Sequence, residues 1–114
     1  MSLTRSEFTC PCCGENQMVD DTLDMFTMAR LDAGVPFVIN SGYRCIEHNQ
    51  EVGGKLNSSH LKGEAGDIKC VDLFHRYKMI RALMGAGFQR IGIGKTFIHA
   101  DNDKQKPRCV VWTY

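Results

Sequence analysis

Three residues in this sequence, His60, Asp67 and His99, have side chains of the kinds that bind zinc. His60 and Asp67 are separated by six residues in SSHLKGEAGD, residues 58–67, and His99 lies later in the chain, within FIHAD. A catalytic zinc ion takes three protein ligands from His, Asp, Glu or Cys and keeps a fourth position for water. The three residues therefore form a candidate site for one zinc ion per chain. The alternative is that His60 is a solvated loop histidine and Asp67 an acid at the edge of a strand.

The elements around these residues could bring them together. Asp67 opens AGDIKCV, which has the composition of a strand, and His99 lies in a second predicted strand, TFIHAD. His60 lies in the loop that precedes the first of these strands. Two neighbouring strands and a connecting loop can direct three donor groups at one point, and Gly63 would allow that loop to turn tightly.

A first helix is predicted from its capping residues and its apolar spacing. Asp20 or Asp21 would cap it, and it would end near residue 33 because Gly34 and Pro36 follow. Its apolar side chains, spaced three and four residues apart on one face, are Val19, Leu23, Phe26, Ala29 and Ala33.

Two further helices are predicted downstream. A short one covers about residues 46–52, and Asp72 would cap a longer one that closes at Gly85 and Gly87. The apolar face of the longer helix would consist of Leu73, Tyr77, Ile80 and Leu83.

The remaining apolar segments are short and are bounded by turn residues, which is typical of strands. Residues 55–66, rich in Ser, Asn and Gly, are predicted to be a loop. The predicted strands are VPFVIN, AGDIKCV, RIGIG, TFIHAD and RCVVWTY. The order of helices and strands indicates an α+β fold, in which a small, mostly antiparallel sheet carries helices packed on one side.

Length and charge limit the classes of function. The 114 residues suit one domain, residues 1–114, without a repeat or a linker. Fourteen basic and thirteen acidic residues give a formal net charge of +1, which provides no electrostatic surface for nucleic acid or an anionic membrane. No apolar segment approaches the roughly 20 residues of a membrane-spanning helix, so we expect no membrane span.

Six cysteines raise the question of disulfides. Three of them, Cys10, Cys12 and Cys13, cluster near the start, while Cys45, Cys70 and Cys109 stand apart. The helices and strands can build a core without cross-links, so we expect mostly reduced thiols. C-x-x-C at residues 10–13 is half of a zinc knuckle and has no second half. We favour thiols without a metal; the alternative is a structural zinc that also uses one of the three distant cysteines.

Five short motifs follow one another along the chain: SGYR (41–44), HN (48–49), VGG (52–54), SSHLKGEAGDI (58–68) and FIHAD (97–101). In this order they resemble the zinc D-alanyl-D-alanine carboxypeptidase family. That family belongs to the wider group of lysostaphin-like, D-Ala-D-Ala-cleaving and hedgehog-type zinc folds. The similarity extends from about Phe8 to Trp112 and is to the small stand-alone branch found in bacteria and phages. It implies a fold of this hedgehog and D-Ala-D-Ala peptidase type.

The most specific part of the resemblance is the pattern S-x-H-x-x-G-x-A-x-D at residues 58–67. It implies that zinc is bound by His60, Asp67 and His99. Arg44 matches the family arginine thought to hold the free carboxylate of the substrate, and a planar guanidinium can do this with two hydrogen bonds. The alternative for Arg44 is a structural pair with an acid. Ser58 would hydrogen-bond either the substrate backbone or its own loop.

The general base departs from the family pattern. Many relatives carry Glu or Asp three residues before the last histidine ligand, where this chain has Thr96. Asp101 is our predicted base, because residues two apart on a strand face the same side and His99 would therefore share a face with it. The alternative is that Asp101 orients the imidazole of His99. Glu64 is nearby in sequence and is expected to face solvent.

The resemblance implies a zinc-dependent peptidase, a carboxypeptidase or an endopeptidase, that hydrolyses peptidoglycan peptides containing D-amino acids. An alternative is a non-catalytic zinc-binding module for cell-wall binding or for a role in a phage particle. A third interpretation is a small zinc protein built on the cysteines at residues 10–13. The opening residues, MSLTRSEFTC, lack the apolar core of a secretory signal, so we expect cytoplasmic synthesis. A phage-encoded enzyme acting on the cell wall would need no signal of its own.

Overall fold

The computed structural model describes residues 5–114, which form an α+β structure. Its helices are α1 (Asp20–Ala33), α2 (Ile46–Glu51) and α3 (Leu73–Gly85), with short 3₁₀-helices at Arg5–Phe8 and Ser59–Lys62. Its strands are β1 (Ile39–Ser41), β2 (Ala65–Lys69), β3 (Arg90–Ile93), β4 (Phe97–Asp101) and β5 (Val110–Thr113).

The five strands form one sheet in the order β1-β2-β4-β3-β5. Neighbouring strands are antiparallel except at one edge, where β5 runs parallel to β3. The α+β class and the mostly antiparallel sheet predicted from the sequence are therefore confirmed.

One face of the sheet forms the apolar core. Ile68 lies opposite Ile98, and Ala100 lies opposite Ile91, and all four side chains are buried. Directly opposed residues share a face, so these side chains form one apolar layer. They belong to the same cluster as the buried side of α1 and α3, which includes Phe26, Ala29, Met79 and Leu83. The opposite face of the sheet carries polar side chains, such as Asp67 and His99, together with the aromatic side chains of Phe97 and Trp112.

Helix α1 begins and ends close to the predicted positions, but its cap differs. Gly34 ends it in the left-handed region at φ 66°, and its N–H donates to the carbonyl of Arg30. The residue before the helix is Val19, which has no capping side chain, so the predicted aspartate cap is wrong. Asp20 lies inside the first turn, where a negative charge interacts favourably with the helix dipole. It also pairs with Arg5.

Helix α3 has the predicted cap and part of the predicted buried face, since Leu83 is buried and Ile80 packs against the core. The carboxylate of Asp72 accepts the N–H of His75 at 2.8 Å, as expected. Met79, Ala82 and Leu83 are the buried side chains, whereas Leu73 is 77% and Tyr77 71% exposed. Apolar residues lie on more than one side of this helix. Packing against α1 determines which of them are buried, and the spacing alone does not.

Two predicted segments are shorter than expected. In VPFVIN only Ile39 and Asn40 join β1, while Val35 and Phe37 are buried outside the sheet and Val38 is exposed. The predicted loop at residues 55–66 contains the 3₁₀-helix, and β2 begins at Ala65. Within residues 5–114, no helix has the length and apolar character needed to cross a membrane.

Candidate metal centre

A single row of residues crosses all five strands. In the sheet register Ser41 lies opposite Asp67, Asp67 opposite His99, His99 opposite Gly92, and Gly92 opposite Trp112. Opposed residues share a face, so this row lies on the side of the sheet away from the apolar layer. The register thereby brings Asp67 and His99 together across 32 positions of sequence.

The 3₁₀-helix at Ser59–Lys62 carries His60 to the same place. Its first turn is capped by Ser58, whose hydroxyl accepts the N–H of His60 at 3.2 Å. Gly63 ends it with φ 70°, and a Cβ atom there would lie 2.0 Å from the carbonyl oxygen of Gln17. Glycine is required at this position, because the backbone both turns left-handed and touches a neighbouring segment. The loop contact that we considered for Ser58 is present.

The three predicted ligands converge on one point. Oδ1 of Asp67 lies 3.3 Å from Nε2 of His60 and 2.8 Å from Nδ1 of His99. One ligand atom from each residue lies within 4.8 Å of the other two. In a tetrahedral site with bonds of about 2.0–2.1 Å, ligand atoms are separated by about 3.3–3.4 Å. The arrangement therefore fits a single small divalent ion.

Each imidazole is held by its other nitrogen. Nδ1 of His60 donates to the carbonyl of Gly42 at 2.7 Å, which leaves Nε2 facing Asp67. Nε2 of His99 lies 2.6 Å from Oδ2 of Asp101, which leaves Nδ1 facing Asp67. Zinc-binding histidines characteristically donate their second ring N–H to a carbonyl or a carboxylate. Both acceptors are present, so the donor set fits zinc in chemistry as well as in spacing.

The charges of the site suit a cation. Burial alone would raise the pKa of Asp67, but hydrogen bonds from His60 and His99 hold that pKa far below its ordinary value. Burial would lower the pKa of His99, whereas its hydrogen bonds to Asp101 and Asp67 raise it. The metal-free site therefore contains an ionised aspartate and a histidine that holds its proton more tightly than usual.

The carboxylate of Asp101 forms hydrogen bonds with several partners. Its side chain is almost fully buried, with Oδ2 against His99 and Oδ1 2.8 Å from Nε of Arg90. The N–H of Asp103 also donates to Oδ1 at 3.1 Å. Burial opposes ionisation, but the hydrogen bond to His99 and the other donors lower the pKa of Asp101. These contacts are those of a residue that orients His99, and the role of base stays a prediction. Thr96, at the usual position of the base, is exposed.

Arg44 is positioned from three sides. Its Nε donates to the hydroxyl of Ser41 at 2.9 Å, Nη1 lies 3.3 Å from Oδ1 of Asn49, and Nη2 lies 3.4 Å from Oδ2 of Asp67. Three of its five N–H groups are engaged in this way, which leaves two for a ligand. Arg44 therefore lies directly beside Asp67, the candidate carboxylate ligand of the metal.

The motifs HN and VGG support Arg44. Asn49 is buried and donates its amide to the carbonyl of Lys55 at 2.9 Å. A Cβ atom at Gly54 would lie 2.0 Å from Oδ1 of Asn49, so the chain passes against this amide only with glycine there. The two motifs together hold in place Oδ1 of Asn49, which accepts a hydrogen bond from Arg44.

These groups line an open cleft of about 470 Å³. Besides the three ligands and Arg44, its wall contains Lys106, Phe97, Trp112 and Tyr114. The aromatic side chains were not predicted from the sequence, and neither was Arg90, whose guanidinium lies 5.0 Å from the centre of the Trp112 ring. The available signal was Trp-x-Tyr at the end of the last strand, because residues two apart face the same side.

Comparison with known proteins agrees with this geometry. The family model described as Peptidase M15 matches residues 1–101, which include all three candidate ligands, Arg44 and Asp101. The match ends with β4, so β5 and its aromatic residues lie outside it. No curated protein matches the chain.

Proposed function

This chain belongs to the Peptidase M15 family of zinc-dependent metallopeptidases, and on that premise we propose that it removes C-terminal residues from peptidoglycan peptides that contain D-amino acids. The observation that carries the proposal is the convergence of His60, Asp67 and His99 beside Arg44 in one open cleft.

The ion would be held by Nε2 of His60, Oδ1 of Asp67 and Nδ1 of His99. When bound, zinc supplies a water acidic enough to act as a nucleophile near neutral pH and polarises the scissile carbonyl. The Gly42 carbonyl and the Asp101 carboxylate keep the two imidazoles in the orientation and tautomer that expose these nitrogens.

Arg44 would bind the C-terminal carboxylate of the substrate. Its guanidinium is held by Ser41 and Asn49 and still has donors free to form two hydrogen bonds with a carboxylate. Nη2 lies 3.4 Å from Asp67, so a carboxylate bound here places the last peptide bond of the substrate next to the ligands. This proximity favours a carboxypeptidase over an endopeptidase.

The aromatic side of the cleft would contact the apolar part of the substrate. Trp112 lies 5.5 Å from His99 between ring centres, and Tyr114 packs 4.9 Å from Phe97. A small side chain such as the methyl group of alanine would lie against this wall while Arg44 fixes the carboxylate on the other side. Together with the scissile peptide bond at the ligands, these two contacts would give the three points that are needed to select the configuration of the terminal residue.

The proposal is tested with purified full-length protein, added zinc and two peptides that differ only in stereochemistry, one ending in D-Ala-D-Ala and the other in L-Ala-L-Ala. We expect mass spectrometry to show loss of one alanine from the first peptide and none from the second. His60→Ala is the control for zinc dependence. An unchanged mass for the D-Ala-D-Ala peptide with the zinc-loaded protein would overturn the proposal.

A second candidate function is a zinc-binding module that binds the cell wall or serves in a phage particle without hydrolysis. One observation favours it: among residues 5–114, the carboxylates that line the cleft are Asp67 and Asp101, and both are already paired. Cross-linked wall peptides distinguish the two functions. Binding with no change in peptide mass supports the module, and cleavage supports the peptidase.

A further inference from the structure

Three sulfur atoms lie together outside the peptidase cleft. The thiols of Cys10, Cys13 and Cys45 are all within 4.8 Å of one another, and the sulfurs of Cys10 and Cys45 are 3.7 Å apart. In a tetrahedral zinc site with Zn–S bonds of about 2.3 Å, neighbouring sulfurs are separated by about 3.8 Å. A disulfide would require about 2.05 Å. The spacing is that of thiolates around a metal ion.

A fourth ligand would come from Cys12, which lies between Cys10 and Cys13 in the chain and has an exposed thiol. Four thiolates satisfy the tetrahedral geometry of structural zinc sites, which leave no position open for water. The C-x-C-C sequence at residues 10–13 would therefore supply three ligands, and Cys45 would supply the one that is distant in sequence.

A backbone N–H group is directed at this sulfur cluster. The N–H of His48 points at the sulfur of Cys45 at 3.5 Å. Donors directed at sulfur favour the thiolate, which is the form that binds metal.

We propose that Cys10, Cys12, Cys13 and Cys45 bind a structural zinc ion, separate from the ion of the peptidase site. This replaces the interpretation that we favoured from the sequence, thiols without a metal. The sequence could not select the fourth ligand, because Cys45, Cys70 and Cys109 were equally distant candidates. The fold brings only Cys45 of these three to the cluster formed by the described residues.

This ion would brace the loop that serves the peptidase cleft. Cys45 directly follows Arg44, and the carbonyl of Phe8 accepts the N–H of Tyr43 at 2.9 Å. A Cβ atom at Gly42 would lie 2.5 Å from Phe8, so the two segments are in close contact. Joining residues 10–13 to Cys45 therefore restrains both Arg44 and the Gly42 carbonyl that orients His60.

The test is the zinc content of the purified full chain, measured by elemental analysis on wild type and three variants. We expect two zinc ions per chain in wild type, and one each in His60→Ala and Cys45→Ser. Cys109→Ser is the matched control and should keep two, because Cys109 is exposed and outside the cluster. A His60→Ala protein without zinc, or a Cys45→Ser protein that keeps two ions, would overturn the proposal.

A second measurement does not depend on whether Cys45→Ser folds. His60→Ala is loaded with Co²⁺, which reports thiolate ligands through an intense sulfur-to-cobalt charge-transfer absorption. We expect this absorption, together with four thiols that are protected from alkylation while the metal is bound. Its absence, or recovery of a Cys10–Cys45 disulfide from the metal-loaded protein, would contradict the site.

Discussion

The carboxylate of Asp101 lies 2.6 Å from Nε2 of His99, and its other oxygen lies 2.8 Å from Nε of Arg90. Asp101 and His99 are neighbours on one face of β4. The imidazole of His99 is held between the carboxylates of Asp67 and Asp101. His99 therefore has one nitrogen fixed by Asp101 and the other directed to the position shared with His60 and Asp67. Asp101 acts on this site through His99, and that role makes a measurable prediction.

Asp101→Asn should weaken zinc binding at the peptidase site. The amide keeps the shape of the side chain but loses the charge that holds the second N–H of His99. Loss of such a partner costs roughly 10- to 100-fold in metal affinity. The measurement is competition with a chelator, followed by kcat/KM at saturating zinc, with Thr96→Ala as an exposed control. Unchanged zinc affinity with lost turnover would instead assign Asp101 the role of base.

Arg44→Lys should lower kcat/KM for peptides with a free C-terminal carboxylate. Lysine keeps the positive charge but cannot form the two parallel hydrogen bonds of a guanidinium. Loss of one hydrogen bond to a charged group costs about 1.5–3 kcal/mol, on the order of a 10- to 100-fold reduction. Steady-state kinetics with a free and a C-terminally amidated peptide provide the comparison. If both peptides lost activity equally, Arg44 would not be the carboxylate contact.

Zinc binding should release a proton from His99. Asp101 and Asp67 outweigh burial and raise the pKa of His99, so this group is protonated over a wider pH range than an ordinary histidine. In the metal-free protein this stabilisation is present below the unfolded pKa and is lost as pH rises through the raised one. Zinc affinity at the peptidase site should therefore fall as pH decreases through the raised pKa.

Titration calorimetry checks this coupling. The heat of zinc binding is measured in buffers with different ionisation enthalpies, on Cys45→Ser so that the peptidase site is observed alone. We expect a heat that depends on the buffer and a proton release that grows as pH falls. A buffer-independent heat across the range would contradict proton displacement from His99.

Asp103→Asn should destabilise the fold at neutral pH. Its buried carboxylate accepts from Ser59 at 2.8 Å and from Lys62 at 2.9 Å, which ties the 3₁₀-helix of His60 to the segment after β4. Burial raises the pKa of Asp103, but Lys62 and Ser59 lower it overall. A depressed pKa contributes stability above the unfolded value, and this contribution is lost as pH falls through the folded one.

We expect Asp103→Asn to lower the free energy of unfolding by about 1.5–3 kcal/mol at neutral pH. The difference from wild type should shrink in acid, where the wild-type carboxylate is also protonated. Urea denaturation at neutral and at acidic pH gives both values. A penalty of the same size at both pH values would show that packing, and not charge, stabilises this position.

The two strands that carry Asp67 and His99 could be predicted from the sequence, because composition and turn residues indicated two separate short strands. Their pairing was an expectation that followed from the candidate zinc site. The structure joins those strands in a register that sets the two side chains opposite each other. Gly63 was also predictable, since its position in a tight turn is a local requirement and its φ is 70°. These features depend on residues close together in the chain or on one pairing.

Features that depend on several elements were not predictable. Arg90 reaches the site because β3 pairs with β4 and sets it opposite Asp101. Trp112 reaches the site because β5 pairs in parallel beside β3, and a parallel pair at the edge leaves no local signal. The thiols at residues 10–13 meet Cys45 for a similar reason, through contacts between Phe8 and the loop at Gly42. The buried face of α3 depends on which of two apolar sides meets α1.

The most direct test is zinc-dependent release of D-alanine from a peptide that ends in D-Ala-D-Ala, followed in parallel for wild type and His60→Ala. We predict release by wild type that stops when a chelator removes zinc and returns when zinc is restored, with none from the variant. Release by His60→Ala at the wild-type rate, or an intact peptide with fully zinc-loaded wild type, would contradict a peptidase centre formed by His60, Asp67 and His99.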